Sequence, residues 1–179
     1  MDLYKPFELP FANAVNAYIV CGVFLQISRE ILPSVTSFTG KPPATCDQLA
    51  PEFVDKYNPD FSQMEFSSLF YIGGLDWMPN QEGLNWFLKN VWNEIHTQFP
   101  ELKFYIAGRN MPKWMRKLKY PNVIMVGEVE DAMKFMNSKS IMLIPLLSGG
   151  GMRIKIIEGM AMGKPIISSS IGAEGIVYS

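Results

Sequence analysis

Cysteine and histidine are nearly absent from this chain, and their scarcity removes several kinds of chemistry at once. Cys21 and Cys46 are the two cysteines among 179 residues. They form no CxxC or Cys/His spacing of a zinc site and cannot make a disulfide scaffold. His96 is the single histidine, which excludes a His-rich metal site and any catalytic triad that does not use it. A surplus of one charge sign is missing too. Sixteen basic residues face seventeen acidic ones, for a net charge of -1, so nothing in the bulk charge favours nucleic acid. The longest apolar stretch, residues 14–27, is broken by Asn16, Gly22 and Gln26 and is too short for a membrane span. It carries neither the basic start nor the cleavage site of a secretory leader. With few cysteines, these absences point to a reducing cytoplasm.

What remains is globular composition: 48% hydrophobic, 13% aromatic and 18% charged, with twelve methionines. The chain divides near residue 62. Seven prolines punctuate residues 1–61 and interrupt regular structure. Within that part, 17–27 (AYIVCGVFLQI) reads as a buried strand and 36–51 as loop. From residue 66 strands and helices alternate. Leu69–Ile72, Lys103–Ala107, Asn122–Val126, Ser140–Leu146 and Pro165–Ser169 read as strands. Between the first two, Leu84, Phe87, Leu88, Val91, Trp92 and Ile95 recur at helical spacing, with Asn80 as the expected N-cap and Pro100 as the stop. Short helices are expected around Trp114–Leu118 and over Asp131–Ser138. A longer one is expected from the Gly149–Gly151 run to about Met162, with Gly163 just past its end. This alternation predicts an α/β fold: a Rossmann-like parallel sheet with flanking helices and right-handed crossovers. Ligands of such sheets lie beyond the carboxyl ends of the strands. Here those ends carry Gly73-Gly74, Gly108, Gly127 and Gly149–Gly151.

The chemistry concentrates in residues 145–165 (PLLSGGGMRIKIIEGMAMGKP). Three glycines after a strand let backbone approach a ligand closely. The helix that follows presents unpaired N–H groups and the positive end of its dipole, a setting for phosphate or diphosphate. Arg153 and Lys155 add positive charge, and a carboxylate at Glu158 can accept two hydroxyls of a ribose. A bland reading, in which Arg153 and Lys155 are merely solvated, explains the coincidence of glycines and cations less well. Residues 159–164 (GMAMGK) mimic the tail of a phosphate-binding loop, but Pro165 stands where Ser or Thr is needed. Gly149–Gly151 is not GxGxxG, so no nicotinamide or flavin site is expected.

In order along the chain, residues 57–60 (YNPD), 71–80 (YIGGLDWMPN), 106–109 (IAGR), 126–131 (VGEVED) and 149–158 (GGGMRIKIIE) resemble the nucleotide-sugar-binding half of a GT-B glycosyltransferase of family 4 (group 1). The likeness covers residues 57–176. It implies transfer of a sugar from a nucleotide-diphosphate donor to a saccharide or lipid-linked acceptor, in polysaccharide or glycolipid synthesis. It implies no metal, and no cofactor besides the donor substrate. The acceptor would be held by a separate N-terminal domain. On this reading residues 1–61 are a partial N-terminal segment and linker, and residues 62–179 are the donor domain, incomplete at its C-terminus. A rival of another class is a non-catalytic nucleotide-binding remnant.

By position, the resemblance gives Glu158 the role of the second glutamate of an E-x7-E motif, holding the donor ribose; the first falls on Gly150. Gly149, Gly150, Gly151 and Met152 would offer backbone to sugar and phosphate. Val129 would contact the base, and Gly73 and Gly74 would form the diphosphate loop. The Arg and Lys that often follow that loop are replaced by Asp76–Asn80. Arg153 and Lys155 therefore become the candidate cations for the leaving group. Arg109 either approaches the diphosphate or caps a neighbouring element. Of the four tryptophans, Trp77 alone is kept as a candidate site residue, and Trp92 is assigned to the core. Met152, Met160 and Met162 are expected to pack helix on sheet, and His96 to be solvated. Lys113, Arg116, Lys117 and Lys119 form a basic run: a solvated face, or a contact with an anionic membrane where lipid-linked acceptors reside.

Overall fold

The computed structural model of the chain describes residues 64–176, together with the backbone of residues 17–20. The readings made for the rest of residues 1–61 lie outside the described residues. Strand β1 (Ala17–Val20) is followed by β2 (Glu65–Ile72), then helix α1 (Met78–Phe87). Helix α1 runs on through a π-helical turn (Leu88–Trp92) into α2 (Asn93–Gln98). Then come β3 (Lys103–Ala107), a 3-10 turn (Met115–Lys117), β4 (Val123–Gly127) and α3 (Ala132–Asn137). The last elements are β5 (Lys139–Ile144), α4 (Ile154–Ala161) and β6 (Ile166–Ser169).

The sheet order is β1-β6-β5-β2-β3-β4. Strands β2 to β6 are parallel, and β1 lies antiparallel against β6, Ala17 facing Ser169 and Val20 facing Ile166. The period-2 alternation of β2 divides its side chains between two cores. Leu69 and Tyr71 join Leu84, Phe87, Leu88, Trp92, Phe104 and Met115 on the α1 face. Phe70 and Ile72 join Met136, Met142, Ile144, Ile156, Met162 and Ile166 on the face of α3 and α4. Helices on both faces of a parallel sheet make this a doubly wound, Rossmann-like α/β fold.

Chain order fixes where the crevice falls. The chain steps from β2 outward to β3 and β4, then returns to place β5 on the other side of β2. The winding direction therefore reverses between β2 and β5, and the connections leaving their carboxyl ends diverge to opposite faces. In sheets of this kind the ligand crevice falls at such a switch point. It lies between the loop that follows β2, which holds Gly73 and Gly74, and the loop that follows β5, which holds Gly149–Gly151.

Some details depart from the sequence reading. Strand β2 begins four residues earlier than expected, at Glu65, because a bulge with Ser67 at φ 63° re-registers it on β5. The cap of α1 is Trp77, without a side-chain cap bond, since a proline in the first turn presets the helix there. Asn80 lies inside the first turn, and its Nδ2 donates to Gly74 O at 2.8 Å. Helix α4 starts at Ile154, so the three glycines belong to a loop outside it. Trp92 is fully buried as expected, and its Nε1 donates to Pro121 O at 2.8 Å. His96 is half-buried, its ring 6.1 Å from that of Trp92, and so is not simply solvated. Met162 is buried and Met160 half-buried against the core, but Met152 is exposed, because it precedes the helix that would have carried it to the sheet.

Candidate functional site

Two glycine loops flank the crevice, and they differ in how their backbone groups are used. The loop after β2 is locked to its neighbour. Gly73 N–H donates to Ala107 O (3.2 Å) and Leu75 N–H to Arg109 O (2.9 Å). Asn110 Nδ2 donates to Asp76 Oδ2 (2.8 Å). Gly108, at φ 152°, lies so close that a Cβ there would stand 1.8 Å from Gly73 O. The amide of Gly73 is thus already engaged within the fold. The side chain of Arg109 projects at an exposed position beside this loop.

The loop after β5 is the more open of the two. Gly149 and Gly151 adopt φ 111° and 83°, conformations that favour glycine. At Gly150 and Gly151 a Cβ would meet nothing within 4 Å. At Gly149 it would meet Arg153 Nη2 at 3.0 Å and Trp77 Cη2 at 3.2 Å. Helix α1 reaches the same place: at Gly83 a Cβ would stand 2.1 Å from Pro145 O, so the absence of a side chain seats α1 on the end of β5. Ser148 Oγ donates to Glu82 Oε2 at 3.3 Å.

Arg153 occupies the cap position of α4. Its guanidinium lies 5.8 Å from the Trp77 ring centroid, and Nη1 donates to Gly150 O at 2.7 Å. Its Nε and Nη2 have no hydrogen-bond partner among the described residues. A guanidinium on an indole face gains about 0.5–1 kcal/mol, less than two hydrogen bonds to an anion would supply. Both donors are buried, so an oxyanion can reach them only if the Arg153 side chain or the groups covering it move.

Lys155, in the first turn of α4, and Glu158, one turn on, pair with each other: Nζ lies 2.9 Å from Oε2, a charge contact without hydrogen-bond geometry. Arg153, Lys155 and Glu158 thus share the amino end of one helix, but only Arg153 is gathered to the glycine loop and Trp77. Val129 is half-buried beyond β4, packed in the α3–α4 core. The structure brings Gly149–Gly151, Arg153 and Trp77 together. Among the described residues, no hydrogen bond, ion pair or ring contact links the side chains of Arg109 or Val129 to them.

Sequence reasoning missed one participant. The amide of Gly151 is taken by Glu174, whose Oε2 lies 3.1 Å away. Glu174 stands in the turn after β6, and Ser169 ties that turn to the end of β5. Ser169 Oγ donates to Leu146 O and accepts from Gly172 N–H at 3.0 Å. The available signal was an acidic residue between two glycines, Gly172 and Gly175, at the carboxyl end of a parallel strand.

Among the described residues, no group of His, Cys, Asp and Glu side chains is placed to hold a metal ion. Nor, among those residues, is any helix long and apolar enough to cross a membrane.

Fold and loops together define a doubly wound α/β protein with two glycine loops at its switch point. The chain belongs to the family described as glycosyl transferases group 1, whose family model matches residues 67–178. It is also similar to an uncharacterized 44.6 kDa protein in the cps region of Klebsiella pneumoniae, with 26% identity over 117 residues. That match covers 60% of this chain and 30% of the relative, so the chain spans less than half the relative's length.

Proposed function

We propose that this chain is the donor-binding half of a GT-B glycosyltransferase of family 4, acting on a nucleotide-diphosphate sugar. The carrying observation is that an exposed glycine loop, a helix amino end and an arginine whose buried Nε and Nη2 have no partner among the described residues coincide at the switch point. The donor's diphosphate would lie against Gly149, Gly150 and the start of α4, with Arg153 and Lys155 as its cations. Glu158 would take the ribose hydroxyls once Lys155 turns to phosphate. Gly73 and Gly74 form the opposite wall, and the base extends toward Val129. When the sugar–phosphate bond breaks, the nucleoside diphosphate leaves with an additional negative charge. Donors already aimed at that oxygen stabilise the transition state, each worth roughly 10²–10³ in rate. In a front-face retaining reaction the departing phosphate oxygen accepts the proton of the attacking acceptor hydroxyl.

The cps-region relative supports a place in capsule polysaccharide synthesis, with the acceptor presented by an N-terminal domain. Peripheral membrane contact fits the exposed Lys113, Arg116, Lys117 and Lys119, which surround an exposed Trp114 beside the 3-10 turn. Aromatic and basic groups on one surface suit an anionic interface. Co-sedimentation with phosphatidylglycerol vesicles should fall when these four are replaced by Ser. Equal sedimentation with phosphatidylcholine vesicles would remove the electrostatic basis.

Titration calorimetry with UDP, GDP and their sugars tests the donor reading. At least one nucleoside diphosphate should bind, and Lys155→Ala or Glu158→Ala should weaken it by about 1.5–3 kcal/mol. Binding without turnover in the presence of acceptor would favour the non-catalytic remnant. Silence toward every nucleotide would reject both readings, and unchanged affinity in both variants would reject the placement of the site.

A further inference from the structure

We infer that Glu174 selects the donor's sugar: its carboxylate holds hydroxyls of a neutral glycosyl group at the Gly151 end of the loop. This rests on the donor reading above and adds a residue and an orientation to it. The loop has a cationic end, where Arg153 is held over Trp77 and bonded to Gly150 O. It has an anionic end, where Glu174 Oε2 accepts the Gly151 N–H at 3.1 Å. A phosphate at the Gly151 end would meet a like charge at close range, which disfavours it. A phosphate at the Arg153 end meets the opposite charge of a guanidinium, two of whose buried donors have no partner among the described residues. The diphosphate is therefore directed to one end, and the uncharged polyhydroxyl part of the donor to the other.

Glu174 is suited to that second end. An ionised carboxylate only accepts hydrogen bonds, and sugar hydroxyls donate them. Oε2 is engaged by Gly151 N–H, which leaves Oε1 without a hydrogen-bond partner among the described residues. The side chain is exposed, as are Gly150 and Gly151 in front of it, so a ligand can reach it. Its position is fixed from behind by the bonds of Ser169 to Leu146 and Gly172. The same charge disfavours an acidic sugar such as a uronate.

Calorimetry on the full chain separates this inference from its foundation. For whichever base binds, the affinity of the free nucleoside diphosphate is compared with that of its sugar, in wild type, Glu174→Gln and Glu174→Ala. Both variants should lower sugar-nucleotide affinity about tenfold or more, while the diphosphate alone keeps its affinity or gains a few-fold. Glu174→Gln should also narrow any preference for UDP-glucose over UDP-glucuronate, because the repelling charge is gone while an acceptor for Gly151 N–H remains. A parallel loss for diphosphate and sugar nucleotide would reduce Glu174 to a structural brace and overturn the inference while leaving the donor reading intact. No change in either ligand would overturn it equally. Failure of wild type to bind any of these nucleotides would remove the donor reading and this inference together.

Discussion

The two edges of the sheet use their polar groups in opposite ways. At the amino edge, Glu65 Oε1 accepts from Lys103 Nζ and Tyr105 OH, both at 2.9 Å, and Oε2 from Lys139 Nζ at 2.6 Å. Lys139 also lies 3.8 Å from the Tyr105 ring centroid. Ser68 and Ser140 close the bulge of β2 by exchanging backbone and hydroxyl bonds. Buried Lys164 donates to Asn137 O and Lys139 O. At the carboxyl edge, two donors of Arg153 are unused, and Trp77, Met78, Met152 and Ile154 are exposed. Each edge leaves a buried polar atom without a partner among the described residues, Asn137 Oδ1 at the amino edge and Arg153 Nε and Nη2 at the carboxyl edge, but only at the carboxyl edge do they lie beside an exposed glycine loop.

Even the carboxyl edge contains both kinds of glycine, and the strongest test of the comparison lies there. Gly108 is required by the fold. Its φ of 152°, and the mere 1.8 Å that would separate an added Cβ from Gly73 O, leave no room for a side chain. Gly108→Ala should destabilise the protein by about 3 kcal/mol, the upper range for forced overpacking, as read by urea denaturation. A loss below about 0.5 kcal/mol would mean that the β2 and β3 loops are not locked together and that the crevice wall is soft.

The amino edge makes a smaller, pH-dependent contribution. Burial alone would raise the Glu65 carboxyl, but hydrogen bonds from Lys139, Lys103 and Tyr105 outweigh it and bring the pKa from the ordinary 4.5 down to about 2. The folded value lies below the unfolded one. Stability from this group is therefore complete above pH 4.5 and is lost as the pH falls through about 2. Because the cluster is partly exposed, we expect Glu65→Gln to cost only about 1 kcal/mol at pH 7, with the gap from wild type shrinking steadily below pH 4.5. Nucleotide affinity should not change. A gap that persists undiminished to pH 2.5, or a change in affinity, would break the separation of the two edges.

The fold was legible because its signals are local and redundant. Alternation marks the strands, the Leu84–Ile95 period marks the first long helix, and glycines mark the strand ends. The strand order was not legible, since pairing of β2 with β5 depends on contacts across some seventy residues, such as Ser68 with Ser140. The bulge at Ser67 and the π turn at Leu88–Trp92 have no residue that announces them. The site was half legible. The Gly149–Arg153 loop declares itself by composition and Trp77 by following the first glycine loop, whereas Glu174 reaches the site from the turn after β6 and only the folded chain brings it there. Asn80 shows how a sound local rule loses to context: a good capping residue, it is used to hold Gly74 because the proline beside it starts the helix earlier.

Gly150 gives the finest discrimination, because the fold has no use for its lack of a side chain. No positive φ constrains it, and a Cβ would meet nothing within 4 Å. Replacing a glycine by alanine in a compatible conformation stabilises by about 0.4–1 kcal/mol through the unfolded chain. Gly150→Ala should therefore hold or slightly raise the denaturation midpoint. If the space before the loop is reserved for a ligand, the added methyl should still weaken nucleotide binding, by about 1 kcal/mol or more if ligand contact leaves it no room to relax. Gly108→Ala should do the reverse, losing stability before affinity. A Gly150→Ala protein that binds nucleotide as tightly as wild type would show that the diphosphate does not press on the middle of this loop, and would move it toward the start of α4 and the wall at Gly74.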